Sequence, residues 1–229
     1  MMVSMKLLHL ILIGMGFLAL PGIAPAVDFV DGGVADQDKV VLGQLLFHEK
    51  ELSGNRNISC ATCHHPLTDT GDGLSLPVGE GGRGLGVTRD TGTGKEEIDE
   101  RVPRNAPPIF MLGSTEVTRM FHDGRIEKDV NFPSGHKSPA GNLLPAGLDN
   151  ILAVQAMFPV TSPDEMAGRP GDRDVFGRKN EIADPASTSD FEAIWDALAE
   201  RLRNIPEYVD LFVGTFDDIN VAADITYAH

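Results

Sequence analysis

From Ser189 onward, apolar residues recur three or four positions apart: Phe191, Ile194, Trp195, Leu198 and Leu202. That spacing gathers them on one face of a helix. Ser189 and Glu192 stand at capping-box spacing where the helix would begin. Pro206 then falls where the first turn of a following helix starts, a place where its missing N–H is tolerated, with Tyr208, Leu211 and Phe212 as the buried face. Other helical patterns run from about Asp36 to Phe47 and from Asn150 to Phe158, while strand signals are few and no internal repeat is visible. Between these elements the chain is loop-rich. Gly71 to Gly94 is dense in glycine, and Phe132 to Leu148 mixes proline, glycine and serine. Loops of that length need something to pack on. The pattern predicts an all-α fold. At the other end Asp224 or Thr226 could cap a new helix, but only Tyr227, Ala228 and His229 follow, so the reading is an element cut short.

The first 26 residues change the picture of where such a chain works. Lys6 precedes an apolar run from Leu7 to Leu20, and Ala24-Pro25-Ala26 supplies the small-residue cleavage pattern. The run is shorter than the roughly 20 residues that span a bilayer. We read residues 1–26 as a secretory signal peptide and residues 27–229 as one exported, periplasmic domain, the alternative being an uncleaved anchor. The full chain carries 19 basic and 34 acidic residues; without Lys6 the balance is 18 against 34, a formal charge of −16. Nucleic acid is an improbable partner for such a surface. A basic redox protein would be attracted to it, although the acidity also serves solubility alone.

The chemistry is carried by Cys60-Ala61-Thr62-Cys63-His64, and these are the only two cysteines in the chain. In Cys-x-x-Cys-His the thiols add across the two vinyl groups of haem, and the adjacent histidine becomes an axial ligand of the iron. Zinc would need two further ligands at suitable spacing, and there is no second cysteine pair. A thioredoxin-like dithiol expects an alternating strand and helix pattern that is missing here. A haem is also a large apolar disc on which the long loops could pack.

The residues around the motif carry a wider likeness. Leu42-Gly43-Gln44-Leu45-Leu46-Phe47, Leu52-Ser53-Gly54, Ile58-Ser59-Cys60, Pro103-Arg104-Asn105-Ala106-Pro107, Phe121-His122-Asp123-Gly124-Arg125 and the segment Val154 to Gly168 follow one another in order. Together they resemble the bacterial di-haem cytochrome c peroxidase and MauG family over most of the exported chain. The resemblance implies a cytochrome c-like, peroxide-reacting N-terminal haem domain. It also implies a second haem domain beyond residue 229, present only in a longer protein.

Several roles follow from that resemblance. Glu165, in Pro163-Asp164-Glu165-Met166, matches the distal glutamate that moves the peroxide proton, with Gln155 and Pro159 as its neighbours in the pocket. Ser162 to Glu165 also reads as a capping box with proline at the first helical position, which is the purely structural alternative. Asn105 matches an oxygen ligand of a calcium ion between the two haem domains. His122 replaces a tryptophan that lies between the haems, and imidazole is harder to oxidise than indole. Glu80 stands where many members carry a histidine that blocks the peroxide face; on a glycine-rich loop, we expect it to be solvated instead. His48, His65 and His136 have no implied role.

The implied activity is reduction of hydrogen peroxide with electrons from a small cytochrome c or cupredoxin. A MauG-like oxidase acting on a partner protein is the nearest alternative. A homodimer is compatible with either. The alternative of another class is a single-haem electron carrier with Met111, Met120, Met157 or Met166 as sixth ligand, although methionines at such positions are usually core.

Overall fold

The structure is a computed structural model that describes residues 36–229, so the signal-peptide reading lies outside the described residues. Among the described residues six α-helices carry the frame: α1 (Gln37–His48), α2 (Cys60–Cys63), α3 (Ile151–Ala156), α4 (Ala183–Ser187), α5 (Phe191–Arg203) and α6 (Pro206–Thr215). The stripe of α5 is buried as its period requires, with Ile194, Trp195, Leu198 and Leu202 in the core. Trp195 also donates its indole N–H to the Met157 carbonyl at 2.8 Å, which ties α5 to the end of α3. The cap of α5 lies one residue later than its capping-box spacing suggests. Asp190 accepts from the Ala193 amide, while Ser189 takes a left-handed φ of 57° that swings the chain into the helix. Asp36 caps α1 and Asn150 caps α3. Pro206 opens α6, which packs Tyr208 and Phe212 inward and lies against both α1 and α5.

A small sheet modifies the all-α expectation. β1 (Arg119–Met120), β2 (Ile126–Lys128) and β3 (His136–Lys137) form an antiparallel sheet in that order, packed on α3. Strands of two and three residues are too short to show a period in sequence. Only Ile126 on β2 is fully buried, while Arg119 and Glu127, paired across the register, form an ion pair near the surface. No helix among the described residues is long and apolar enough to cross a membrane.

The segment that leads into the two cysteines is fixed by buried polar groups. The Arg201 guanidinium of α5 donates to the carbonyls of Glu51 and Ser53, both at 2.7 Å, and of Gly54 at 3.2 Å. Arg56 bonds Glu51 at 2.6 Å and Asp174 at 2.8 Å. Buried cations need this degree of satisfaction, since an unpaired one costs several kcal/mol. The backbone of Gly54 then meets the turn that follows α3. Its N–H donates to the Met166 carbonyl at 2.8 Å, and a Cβ at Gly54 would fall 1.9 Å from the Ala167 oxygen. Asn180 bridges the same two segments through Asn55 and the Ala167 carbonyl. The approach to Cys60 and the turn carrying Glu165 are therefore one rigid joint.

Candidate functional site

Cys60 and Cys63 sit on the single turn of α2. The turn is held at its start by the Ser59 amide, which donates to Thr62 Oγ1 at 2.9 Å, and at its end by the His64 amide, which donates to the Cys60 carbonyl at 2.9 Å. Beyond it the chain reverses through Asp69 and Thr70, both in the left-handed region at φ 53° and 62°. This reversal brings the Thr70 carbonyl to 2.9 Å from His64 Nδ1. A carbonyl only accepts, so Nδ1 carries the proton and Nε2 keeps its lone pair for a metal, the usual arrangement of a ligating histidine. Phe47 of α1 packs against the ring at 6.4 Å between centroids.

Burial pushes the Cys63 thiol up to about 11 and the Cys60 thiol up as well. Reactive dithiols and zinc-binding thiols are shifted the other way. Among the described residues there is also no group of three or more His, Cys, Asp or Glu side chains able to hold a metal ion. Both cysteines and His64 line a cavity of about 770 Å³ whose wall is largely apolar, with Val78, Met157, Val160 and Met166 among its residues. Two neutral thiols, an imidazole nitrogen with a free lone pair and an apolar chamber fit a haem attached through thioethers.

Gln155, Pro159 and Glu165 line the same cavity. Gln155 comes from α3, and Pro159 opens the short 3₁₀ turn Pro159–Thr161. Glu165 lies in a single π-helical turn, Pro163–Ala167, in which the Ala167 amide reaches back to the Ser162 carbonyl at 2.9 Å. Such turns are rare and often mark functional sites. The capping alternative fails here, because the Ser162 side chain makes no hydrogen bond to the amides of the turn. Burial raises the Glu165 carboxyl to about 7, with the Arg125 guanidinium opposing the rise and Asp164 adding to it. A carboxyl in that range both takes and returns a proton near neutral pH.

The other expected residues fall in different places. Asn105 also lines the cavity, with its amide nitrogen donating to both Asp72 oxygens at 3.1 Å and to the Leu74 carbonyl at 2.9 Å. His122 lines the cavity from the exposed turn between β1 and β2. His136 is buried on β3, tied to the Ser134 carbonyl, and His48 bonds the Gln44 carbonyl of its own helix.

Glu80 corrects the expectation of a solvated side chain: it is half-buried, accepting from the amide nitrogens of Asn55 and Asn57 at 2.8 Å each. Those donors lie more than 20 residues earlier in the chain, so the loop's glycine content alone did not reveal them. Burial raises its pKa, the two amides pull it down, and it is not among the residues of the cavity wall. Of the four methionines considered as sixth ligands, Met157 and Met166 are core residues that touch the cavity, Met120 packs against the core, and Met111 is exposed. Sequence reasoning missed the Thr70 carbonyl, since a backbone group leaves no signature; the turn-forming run Asp69-Thr70-Gly71-Asp72-Gly73 was the available hint.

The family model for di-haem cytochrome c peroxidase matches residues 37–229. A methylamine utilization protein MauG from Methylorubrum extorquens is 27% identical over 179 residues, covering 78% of this chain and 32% of that protein. The MauG of Paracoccus denitrificans is 32% identical over 174 residues, 73% of this chain and 40% of its own length. A cytochrome-c peroxidase IdrP2 from Denitromonas iodatirespirans is 35% identical over 75 residues, 30% of this chain and 20% of that protein. The chain thus spans roughly a third of the length of the curated MauG proteins it matches.

Proposed function

The chain belongs to the di-haem cytochrome c peroxidase family, and on that premise we propose that it is the peroxide-reacting haem c domain of a periplasmic oxidoreductase. The observation that carries the proposal is one cavity shared by Cys60, Cys63, a His64 with its Nε2 free, and a half-buried Glu165 whose carboxyl is raised to about 7 by desolvation. Cys60 and Cys63 would hold the haem through thioethers and His64 would ligate its iron, with the ring kept in register by the Thr70 carbonyl. When bound, the haem supplies the iron that receives peroxide and the electrons that reduce it.

The remaining work is proton management by the chain itself. Reduction of hydrogen peroxide consumes two electrons and two protons and yields two waters. Glu165, ionised, takes the proton from the nearer oxygen, and protonated, it hands that proton to the departing one. Gln155 lines the same wall and orients the substrate by hydrogen bonding, while Pro159 and the apolar residues limit the water that competes for the carboxylate. Electrons would come from a small cytochrome c or a cupredoxin. A second reading, a MauG-like oxidase that turns the same oxidising power on a partner protein, is favoured by the two relatives that align over most of this chain.

The test is expression of the chain with its leader in a host that attaches c-type haem. Covalent haem is read by mass, and peroxide consumption is read with reduced cytochrome or cupredoxin as donor. Haem attached at Cys60 and Cys63 with donor oxidation supports the peroxidase. Haem with peroxide binding but no donor oxidation favours the protein-modifying oxidase, and a chain without covalent haem overturns both.

A further inference from the structure

Arg104 is a charged wall residue that the chemistry above does not use. It lines the same cavity as Cys63 and His64, and among the described residues no hydrogen bond or ion pair engages its guanidinium. Among the described residues no other lysine or arginine lines this wall. The remaining ionisable groups there are mostly committed. Asp72 accepts from the Leu74 amide at 3.1 Å, from the Ala106 amide at 3.0 Å and from Asn105. His229 is bonded by the Thr226 amide at 3.0 Å and lies 3.4 Å from Asp218.

The backbone at Arg104 is also well placed. Its next two residues, Asn105 and Ala106, are both pinned to the Asp72 carboxylate, and three residues earlier Arg101 donates to the Leu76 carbonyl at 3.2 Å. Arg104 itself is exposed, so its permanently cationic fork stands at the solvent side of a largely apolar chamber, on a fixed stretch of backbone and with no partner among the described residues. Thioether formation uses up the vinyl groups of a haem and leaves its two propionate carboxylates. A carboxylate taken into such a chamber needs a charged, hydrogen-bonding partner, and guanidinium is the side chain whose geometry suits it best.

We propose that Arg104 is the propionate clamp of this haem site, pairing with one haem carboxylate and fixing the disc against rotation out of the cavity. The proposal rests on the reading of the cavity as a haem site. It has an electrochemical consequence: a cation beside the haem favours the electron-richer reduced state and the ionised propionate. Loss of the cation lowers the midpoint potential and raises the propionate pKa, which moves the pH-dependent part of the potential upward in pH.

The experiment is redox titration of the haem-loaded chain as wild type, Arg104→Gln and Arg104→Lys between about pH 5 and 9. Arg104→Gln should keep covalent haem yet, at a fixed solution potential near neutral pH, raise the ratio of oxidised to reduced protein by about tenfold, the usual worth of one charged hydrogen bond. Arg104→Lys, which keeps the charge and loses the fork, should recover most of that shift. An unchanged potential and pH profile in Arg104→Gln would overturn the clamp. Should Arg104→Gln lose its haem, Arg104→Lys decides: haem retained with a near-normal profile supports the clamp, and haem lost again overturns it. A wild-type chain without covalent haem would overturn the haem reading itself, an outcome separate from normal haem with an indifferent Arg104.

Discussion

Glu165 and His64 line the same cavity, and the proposed function asks opposite things of them, that one exchange a proton and the other keep a nitrogen bare. For Glu165, the ionised form is the one that would accept the peroxide proton on the proposed function, and it is present above about pH 7 and lost below it. Peroxide turnover per unit of substrate should therefore climb about tenfold per pH unit up to pH 7 and then level. Glu165→Gln should lower turnover by about two to four orders of magnitude and flatten that profile, as stopped-flow measurement would show. The same shift bears on stability with a definite sign. Between the ordinary carboxylate range and pH 7 the folded chain holds a proton that the unfolded chain has released, so folding weakens as pH rises. Glu165→Gln should lack that decline in thermal melts, and a decline retained in the variant would mean the titrating group is another. For His64, the thioethers and the axial bond are separate, so His64→Gly should keep haem by mass and change its absorption spectrum; an unaltered spectrum would remove His64 as ligand.

At the level of elements, the turn that carries Glu165 is shaped by close backbone approaches rather than by its own side chains. A Cβ at Gly79 would lie 2.0 Å from the Asp164 oxygen, next to the bond from the Glu80 amide to that same oxygen at 2.8 Å. Gly79→Ala should push the π-helical turn away, costing about 1–3 kcal/mol or more in chemical denaturation and lowering peroxide turnover with it. Gly214 on α6 has open space around its Cβ, and Gly214→Ala should instead leave turnover intact and stabilise by up to about 1 kcal/mol. This contrast also explains what could be read in the sequence. The helices α5 and α6 were legible because their apolar residues repeat with the helical period, and the haem motif because its chemistry is local. The sheet was not legible, since β1 and β3 have two residues each. The position of Glu165 came from likeness to a family, and spacing alone pointed to a cap that does not form. The burial of Glu80 depends on Asn55 and Asn57, partners whose nearness only the folded chain creates.

At the scale of the whole molecule, three segments among the described residues each offer a side chain that could compete with peroxide for the iron of a bound haem, and the fold restrains all three. Glu80 is drawn toward Asn55 and Asn57 and lies outside the cavity wall. His136 is buried on β3 and bonded to Ser134. His122 does line the cavity, but its turn is braced: the Gly124 amide bonds the Phe121 carbonyl at 3.2 Å, and Arg125 lies over the Phe121 ring at 4.9 Å while bonding Asp123 at 3.0 Å. An exposed imidazole on a braced turn must exchange its hydration and break these contacts to reach a metal. We therefore expect the oxidised, haem-loaded protein at neutral pH to hold water or an open position there and to react with peroxide without prior reduction. Electron paramagnetic resonance should show a high-spin ferric signal, and mixing with peroxide should change the spectrum at once. A wholly low-spin spectrum that becomes high-spin in His122→Ala would show that the turn does open and that the iron is closed by this chain's own histidine.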